Sequence, residues 1–268
     1  MVAEKIWDDV KKIRLQAPLV HNITNYVVMN STANALLAIG AAPVMAHSRE
    51  EVEEMVGLAS ALVLNIGTLS SSWIEAMLIA GRAAKSRGIP TILDPVGAGA
   101  TSLRTNAAHK ILKEVRPVII RGNGSEIYAL ARAEGVTRGV DSTMGAEGAQ
   151  EAARELSVER TCTVSVSGET DIIIRDKHTI KIRNGHPMMA RVTGLGCTAS
   201  ALTGAFAAVN PDPLEAAAHA MALLGIAGEI AAQNADGPGS LQQNLLDVLY
   251  TIDKNQIDDH LQCESNVS

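Results

Sequence analysis

Aromatic side chains are nearly missing from this sequence: one Phe, three Tyr and two Trp stand among 268 residues. So few cannot build a base-stacking platform or a carbohydrate-stacking surface. An excess of positive charge is missing too. The 23 basic side chains are outnumbered by 29 acidic ones, for a formal net charge of −6, which argues against nucleic-acid and anionic-membrane partners. The cysteines, Cys162, Cys197 and Cys263, are too scattered for a disulfide framework, and no Cys-x-x-Cys occurs. No two His or Cys recur at zinc-ligand spacing. A Gly-Lys pair, without which there is no Walker A loop, occurs nowhere. Glu4, Asp8 and Asp9 stand where a signal peptide would need an apolar core. The longest apolar stretch, 216–230, is interrupted by His219 and falls short of the roughly 18 residues of a membrane span. A reduced, cytoplasmic protein with no membrane association is the expectation.

What is present is a chain 47% hydrophobic, too apolar for disorder and of a length that suits one α/β domain. Short β-branched runs at 43–46, 61–66, 91–93, 118–120 and 163–166 alternate with stretches of helical period at 26–39, 50–59, 72–87, 106–115 and 126–133. The strands read as continuous Val, Ile and Leu, as when helices cover both faces. The pattern predicts a three-layer α/β/α domain over 1–268 with a mainly parallel sheet. Runs at 171–175 and 179–183 predict an antiparallel hairpin at the sheet edge. Only helices are expected after it, at 198–209, 214–234 and 240–252, and from Asp253 onward a polar, frayed tail.

Open parallel sheets bind ligands beyond the carboxyl ends of their strands, and five junctions there carry polar or glycine-rich motifs. They are His21-Asn22-Ile23-Thr24-Asn25, Asn65-Ile66-Gly67-Thr68, Asp94-Pro95-Val96-Gly97-Ala98-Gly99, Arg121-Gly122-Asn123-Gly124-Ser125-Glu126 and Thr193-Gly194-Leu195-Gly196-Cys197. In the last, Gly194 and Gly196 precede a helix of small residues, so bare backbone N–H groups and the helix dipole can meet an anion. Asp94 and Glu126, each near a predicted strand end, have the placement of carboxylates that hold hydrated Mg²⁺ beside phosphate oxygens. Together these point to phosphoryl transfer. The string Gly194-x-Gly196-x-x-Ala199 also fits a dinucleotide fingerprint, which would make an oxidoreductase; that fingerprint belongs in a first βαβ unit, whereas here it comes late. A metabolite-binding protein without catalysis is the third reading. His21 lies in a motif, and a structural hydrogen bond is its expected role.

Asp94-Pro-Val-Gly-Ala-Gly, Asn123-x-x-Glu126 and the late Gly-x-Gly before a helix resemble the ribokinase-like superfamily. Within it, the motifs at 21–25 and 65–68 and the cysteine of Gly-Leu-Gly-Cys197 resemble the hydroxyethylthiazole kinase family, over about residues 5–250. That resemblance implies ATP-dependent phosphorylation of a thiazole primary alcohol, a thiamine precursor. It also implies Mg²⁺ and a homotrimer with alcohol sites between subunits. Carried over by position, Met45 and Gly194 contact the thiazole with Asn25 and Gly67 beside them. Arg121 and Ser167 contact ATP phosphates near Gly196, and Asp94 and Glu126 orient metal and water. The rival readings on the same fold, a nucleotide-dependent hydrate dehydratase or a pyridoxal or hydroxymethylpyrimidine kinase, would carry an aspartate where Cys197 stands. A helix N-terminus lowers a thiol pKa and neighbouring phosphates raise it, so Cys197 is expected to be useful rather than essential.

Overall fold

The computed structural model describes residues 2–133 and 146–267. Its elements run α1 (Ala3–Gln16), β1 (Leu19–Ile23), α2 (Met29–Ile39), β2 (Ala42–Val44), α3 (Val52–Leu58), β3 (Ala61–Asn65), α4 (Ser71–Arg87), β4 (Thr91–Asp94), α5 (Ser102–Glu114) and β5 (Ile119–Asn123). Then come α6 (Gly124–Ala133), α7 (Ala146–Arg160), β6 (Thr163–Ser167), β7 (Asp171–Arg175), β8 (His178–Ile182) and a 3₁₀ turn, Pro187–Arg191. The chain closes with α8 (Leu195–Val209), α9 (Pro213–Gln233), α10 (Pro238–Thr251), α11 (Lys254–His260) and β9 (Cys263–Val267).

All nine strands join one sheet in the order β2-β1-β3-β4-β5-β6-β7-β8-β9. The first six pair in parallel and the last three antiparallel. Alternation along a strand supplies both faces with core. Val63 of β3 joins Leu36, Leu202 and Phe206 on one side; its neighbours Leu62 and Leu64 join Trp73, Met77 and Ile111 on the other. Helices α1, α2 and α8–α11 cover the first face and α3–α7 the second, which gives the expected three layers. Gly204 lets α8 lie close against the sheet: a Cβ there would come within 2.8 Å of Val63 Cγ2.

Three features differ from the sequence reading. The tail expected to fray from Asp253 instead forms α11 and β9, with Asp253 capping α11 through Gln256 N. A strand therefore does follow the late helices, and β9 pairs with the 178–182 strand to take the outermost place beyond the hairpin. Helix α9, at 21 residues, reaches the length and hydropathy of a membrane span, but 83% of its apolar window is buried inside the protein. It is a core helix here.

The chain leaves β1 for β2 on one side and returns to place β3 on the other. Such a reversal opens a crevice at the carboxyl ends of the flanking strands. Asn25 follows β1 and Gly67 follows β3, so two of the five motifs meet there by topology alone.

Candidate active site

Helix α8 starts beneath this crevice. Gly194, its N-cap, has φ +83°, and a Cβ on it would stand 2.5 Å from Val28 Cγ1, so both conformation and space require glycine. Cys197 is the third residue of the helix. A Cβ on Gly196 would stand 2.8 Å from a terminal nitrogen of Arg121, so the guanidinium lies across bare backbone. Arg121 sits inside β5, two residues before its end, rather than just beyond the strand. It is buried, and its Nε has no hydrogen-bond partner among the described residues. Arg121, Ser167, Asp171, Gly194 and Gly196, together with Met189 and Met221, are among the residues lining a cavity of about 870 Å³.

From Cys197 a buried chain of polar side chains crosses the crevice. Asn25 Nδ2 donates to Cys197 Sγ (3.4 Å) and to Asn65 Oδ1 (2.9 Å). Asn65 Nδ2 donates to Asp94 Oδ2 (2.7 Å), which also accepts from Ser200 Oγ (2.7 Å). Asn25, Asn65, Asp94 and Ser200 are all buried. Burial lifts the Asp94 pKa to about 6, with Glu126 adding to the rise and Arg121, Ser200 and Asn65 opposing it. The Cys197 thiol is also raised, by burial first and then by Asp94, against the amides of Asn65 and Asn25. It is a protonated thiol at neutral pH.

Glu126 closes a capping box. Its backbone N–H donates to Asn123 Oδ1 (2.9 Å), and Asn123 N–H donates to Glu126 Oε2 (2.8 Å). The other oxygen, Oε1, accepts from Gly97 N (2.8 Å), so this carboxylate joins the β4–α5 loop to the start of α6. Arg104 braces the same region, donating to the carbonyls of Ile66 (2.8 Å), Val96 (2.7 Å) and Gly67 (2.8 Å).

The fold thus gathers Asn25, Gly67, Asp94, Arg121, Glu126, Gly194, Gly196 and Cys197 along one sheet edge, where Ser167 ends β6 opposite Asn123. Met45 follows the outermost strand β2, next to β1, and its carbonyl oxygen lies 3.3 Å from His47 Nδ1. His21 fills the expected structural role: Nε2 donates to Ala46 O (2.8 Å). Sequence reasoning gave no role to Asn65, though it quoted the motif, and passed over Ser200, Arg104 and Asp171 entirely. Ser200 lies one helical turn from Gly196, a spacing that could have flagged it. The dinucleotide reading fails on context, because a 3₁₀ turn rather than a strand precedes Gly194. Among the described residues no cluster of three His, Cys, Asp or Glu can hold a metal unaided.

Comparison with known proteins agrees with this geometry. The sequence profile of the hydroxyethylthiazole kinase family matches residues 10–255. The chain is 62% identical over 255 residues to the hydroxyethylthiazole kinase of Syntrophus aciditrophicus, covering 95% of this chain and 94% of that protein. It is 55% identical over 254 residues to the one from Nitratidesulfovibrio vulgaris, covering 95% of each. The structure of hydroxyethylthiazole kinase from Pyrococcus horikoshii superposes with a TM-score of 0.92 at 45% identity, over 98% of this chain and 99% of that one. The pyridoxal kinase of Staphylococcus aureus shares the fold, with a TM-score of 0.67 at 14% identity over 94% of this chain and 99% of that one.

Proposed function

The chain belongs to the hydroxyethylthiazole kinase family, and from that membership we propose that it transfers the γ-phosphoryl group of ATP to the primary alcohol of 4-methyl-5-(2-hydroxyethyl)thiazole, in thiamine biosynthesis. The observation that carries this reading is the meeting, at the start of α8, of the Cys197–Asn25–Asn65–Asp94 chain with Arg121 lying over Gly196. Asn25, Gly67, Gly194 and Met45 take the alcohol's side of the site. Arg121, Ser167 and Gly196 take the triphosphate.

Phosphoryl transfer through a loose transition state asks for alignment and charge neutralisation more than for a strong base. Arg121, unpaired at Nε, and the free N–H groups at the start of α8 supply positive potential where the γ-phosphoryl charge develops. A thiol whose pKa is raised stays protonated and offers little thiolate to act as base. Cys197 therefore orients the alcohol oxygen as it attacks phosphorus, the bond to ADP breaks and the alcohol's proton passes to an oxygen of the transferred phosphoryl group.

Asp94 and Glu126 fit a hydrated magnesium ion. Both Glu126 oxygens already accept backbone N–H groups and Asp94 Oδ2 accepts two donors, which suits contact through water better than a stripped ion. The raised Asp94 pKa, with Glu126 contributing, marks negative charge that a cation would relieve. Bound there with ATP, the ion would neutralise and orient the phosphates.

A homotrimer with alcohol sites between subunits completes the proposal. Tyr26 and Val27, next to Asn25, are 62% and 70% exposed, an apolar rim that a second subunit would cover, and Met45 lies in a neighbouring loop. The thiols of Cys162 and Cys197 suit a cytoplasmic setting. ADP release with the thiazole alcohol, ATP and Mg²⁺, run against pyridoxal and hydroxymethylpyrimidine, tests the activity; binding without ADP formation would overturn it. Light scattering tests the trimer, and a fully active monomer would remove it.

A further inference from the structure

Asn65 bonds Asn25 and Gly67 through one atom of its amide and Asp94 through the other, and its orientation is fixed by chemistry. The backbone N–H of Gly67 donates to Asn65 Oδ1 (2.9 Å), and a backbone N–H can only donate. The oxygen of the Asn65 amide therefore faces Gly67 and Asn25, and the nitrogen faces Asp94. Asn25, whose oxygen-accepting partner is thereby set, must present its own NH₂ to both Asn65 and Cys197. Space is tight as well: a Cβ on Gly67 would stand 2.6 Å from Asn25 Nδ2 and 2.9 Å from Asn65 Oδ1. Asn65 itself is 1% exposed, so water does not substitute for a lost contact.

Resting on the kinase reading of this site, we propose that Asn65 is a positioning residue that sets the alcohol-binding side, Asn25 and Gly67, in register with Asp94 on the phosphoryl-transfer side. Its oxygen holds the alcohol side and its NH₂ holds Asp94. The two functions sit on different atoms of one amide and are separable by substitution.

The test is a comparison of Asn65→Ala with Asn65→Asp in the full-length enzyme. The alanine removes both functions. The KM for the thiazole alcohol should rise about tenfold and kcat should fall about tenfold to a hundredfold, the scale of an ångström-level misplacement, with the KM for ATP unchanged within about twofold. The aspartate keeps an acceptor for Gly67 and Asn25 but sets an acceptor against Asp94. It should restore the alcohol KM and leave kcat low. A double-mutant cycle of Asn25→Ala with Asn65→Ala should be non-additive in the alcohol KM. Equal losses of affinity for ATP and alcohol, an aspartate variant with wild-type kcat, or an additive cycle would each overturn the proposal. Should the alanine variant not fold, the aspartate variant decides alone by its KM-against-kcat split. A wild-type enzyme that releases no ADP would instead overturn the kinase reading.

Discussion

The end of Arg121 occupies the space a side chain at residue 196 would need: a Cβ on Gly196 would stand 2.8 Å from a terminal nitrogen of the guanidinium. A methyl group at 196 would push the flexible end of Arg121 aside at little cost to folding. Gly196→Ala is expected to raise the KM for ATP about tenfold, roughly 1.4 kcal/mol, with Tm nearly unchanged. Steady-state kinetics with ATP varied checks this, and an unchanged ATP KM would detach Arg121 from nucleotide binding.

Gly194 differs from Gly196 in kind. Its φ of +83° is costly for any other residue, and its Cβ position is already occupied by Val28. Gly194→Ala should lose about 1–2 kcal/mol in backbone strain before the clash is counted, visible as a Tm lower by several degrees.

Cys197→Ala is expected to fold and to lose about tenfold to a hundredfold in kcat, the modest end for a group handling a proton. Cys197→Asp should preserve or raise the rate. A folded but inactive alanine variant would mean that the thiol does more than orient the alcohol.

For Glu126, both carboxylate oxygens accept backbone N–H groups, and glutamine can offer only one acceptor. Glu126→Gln should cost about 1 kcal/mol of stability, the scale of one unmade hydrogen bond, and raise the Mg²⁺ concentration needed for half-maximal rate. Titration of activity with Mg²⁺ reads this directly; an identical curve for wild type and variant would exclude Glu126 from the metal's surroundings.

Asp171 carries a stability prediction of definite sign. Burial lifts its pKa from 3.8 to about 6, against the N–H of Gly168 and the charge of Arg121. Well below pH 3.8 the carboxyl is neutral folded or unfolded and costs nothing. Between pH 3.8 and about 6 the unfolded chain gives up this proton while the folded carboxyl keeps it, so stability falls progressively, and above 6 the loss has reached its full value of roughly 3 kcal/mol. Asp171→Asn keeps an acceptor for Gly168 and removes that loss. It should be more stable than wild type at pH 7.5, with the difference shrinking as pH falls from 6 toward 3. A Tm difference independent of pH would contradict the assignment.

The parallel part of the sheet was legible because β3 to β6 are short, continuous β-branched runs whose positions alternate between two cores. Strand β1 was not, since His21 and Asn22 interrupt its apolar run, although both are buried. The site was legible as motifs at strand ends but not as a network. Asp94 and Ser200 are far apart in sequence, and their 2.7 Å contact exists only because α8 passes beneath β4. Arg104 likewise reads as an ordinary helix-surface cation until its three carbonyl partners are seen.

Strand β9 is held largely through its backbone: Glu264, Ser265 and Asn266 all face solvent, Cys263 packs against the core, and the strand pairs with β8 and carries an Arg183–Glu264 ion pair. Main-chain bonding is indifferent to side-chain identity, so positions 264–266 admit nearly any residue, proline excepted. Mutational drift there is close to neutral, and the outer flank of the protein is guarded by composition-blind chemistry.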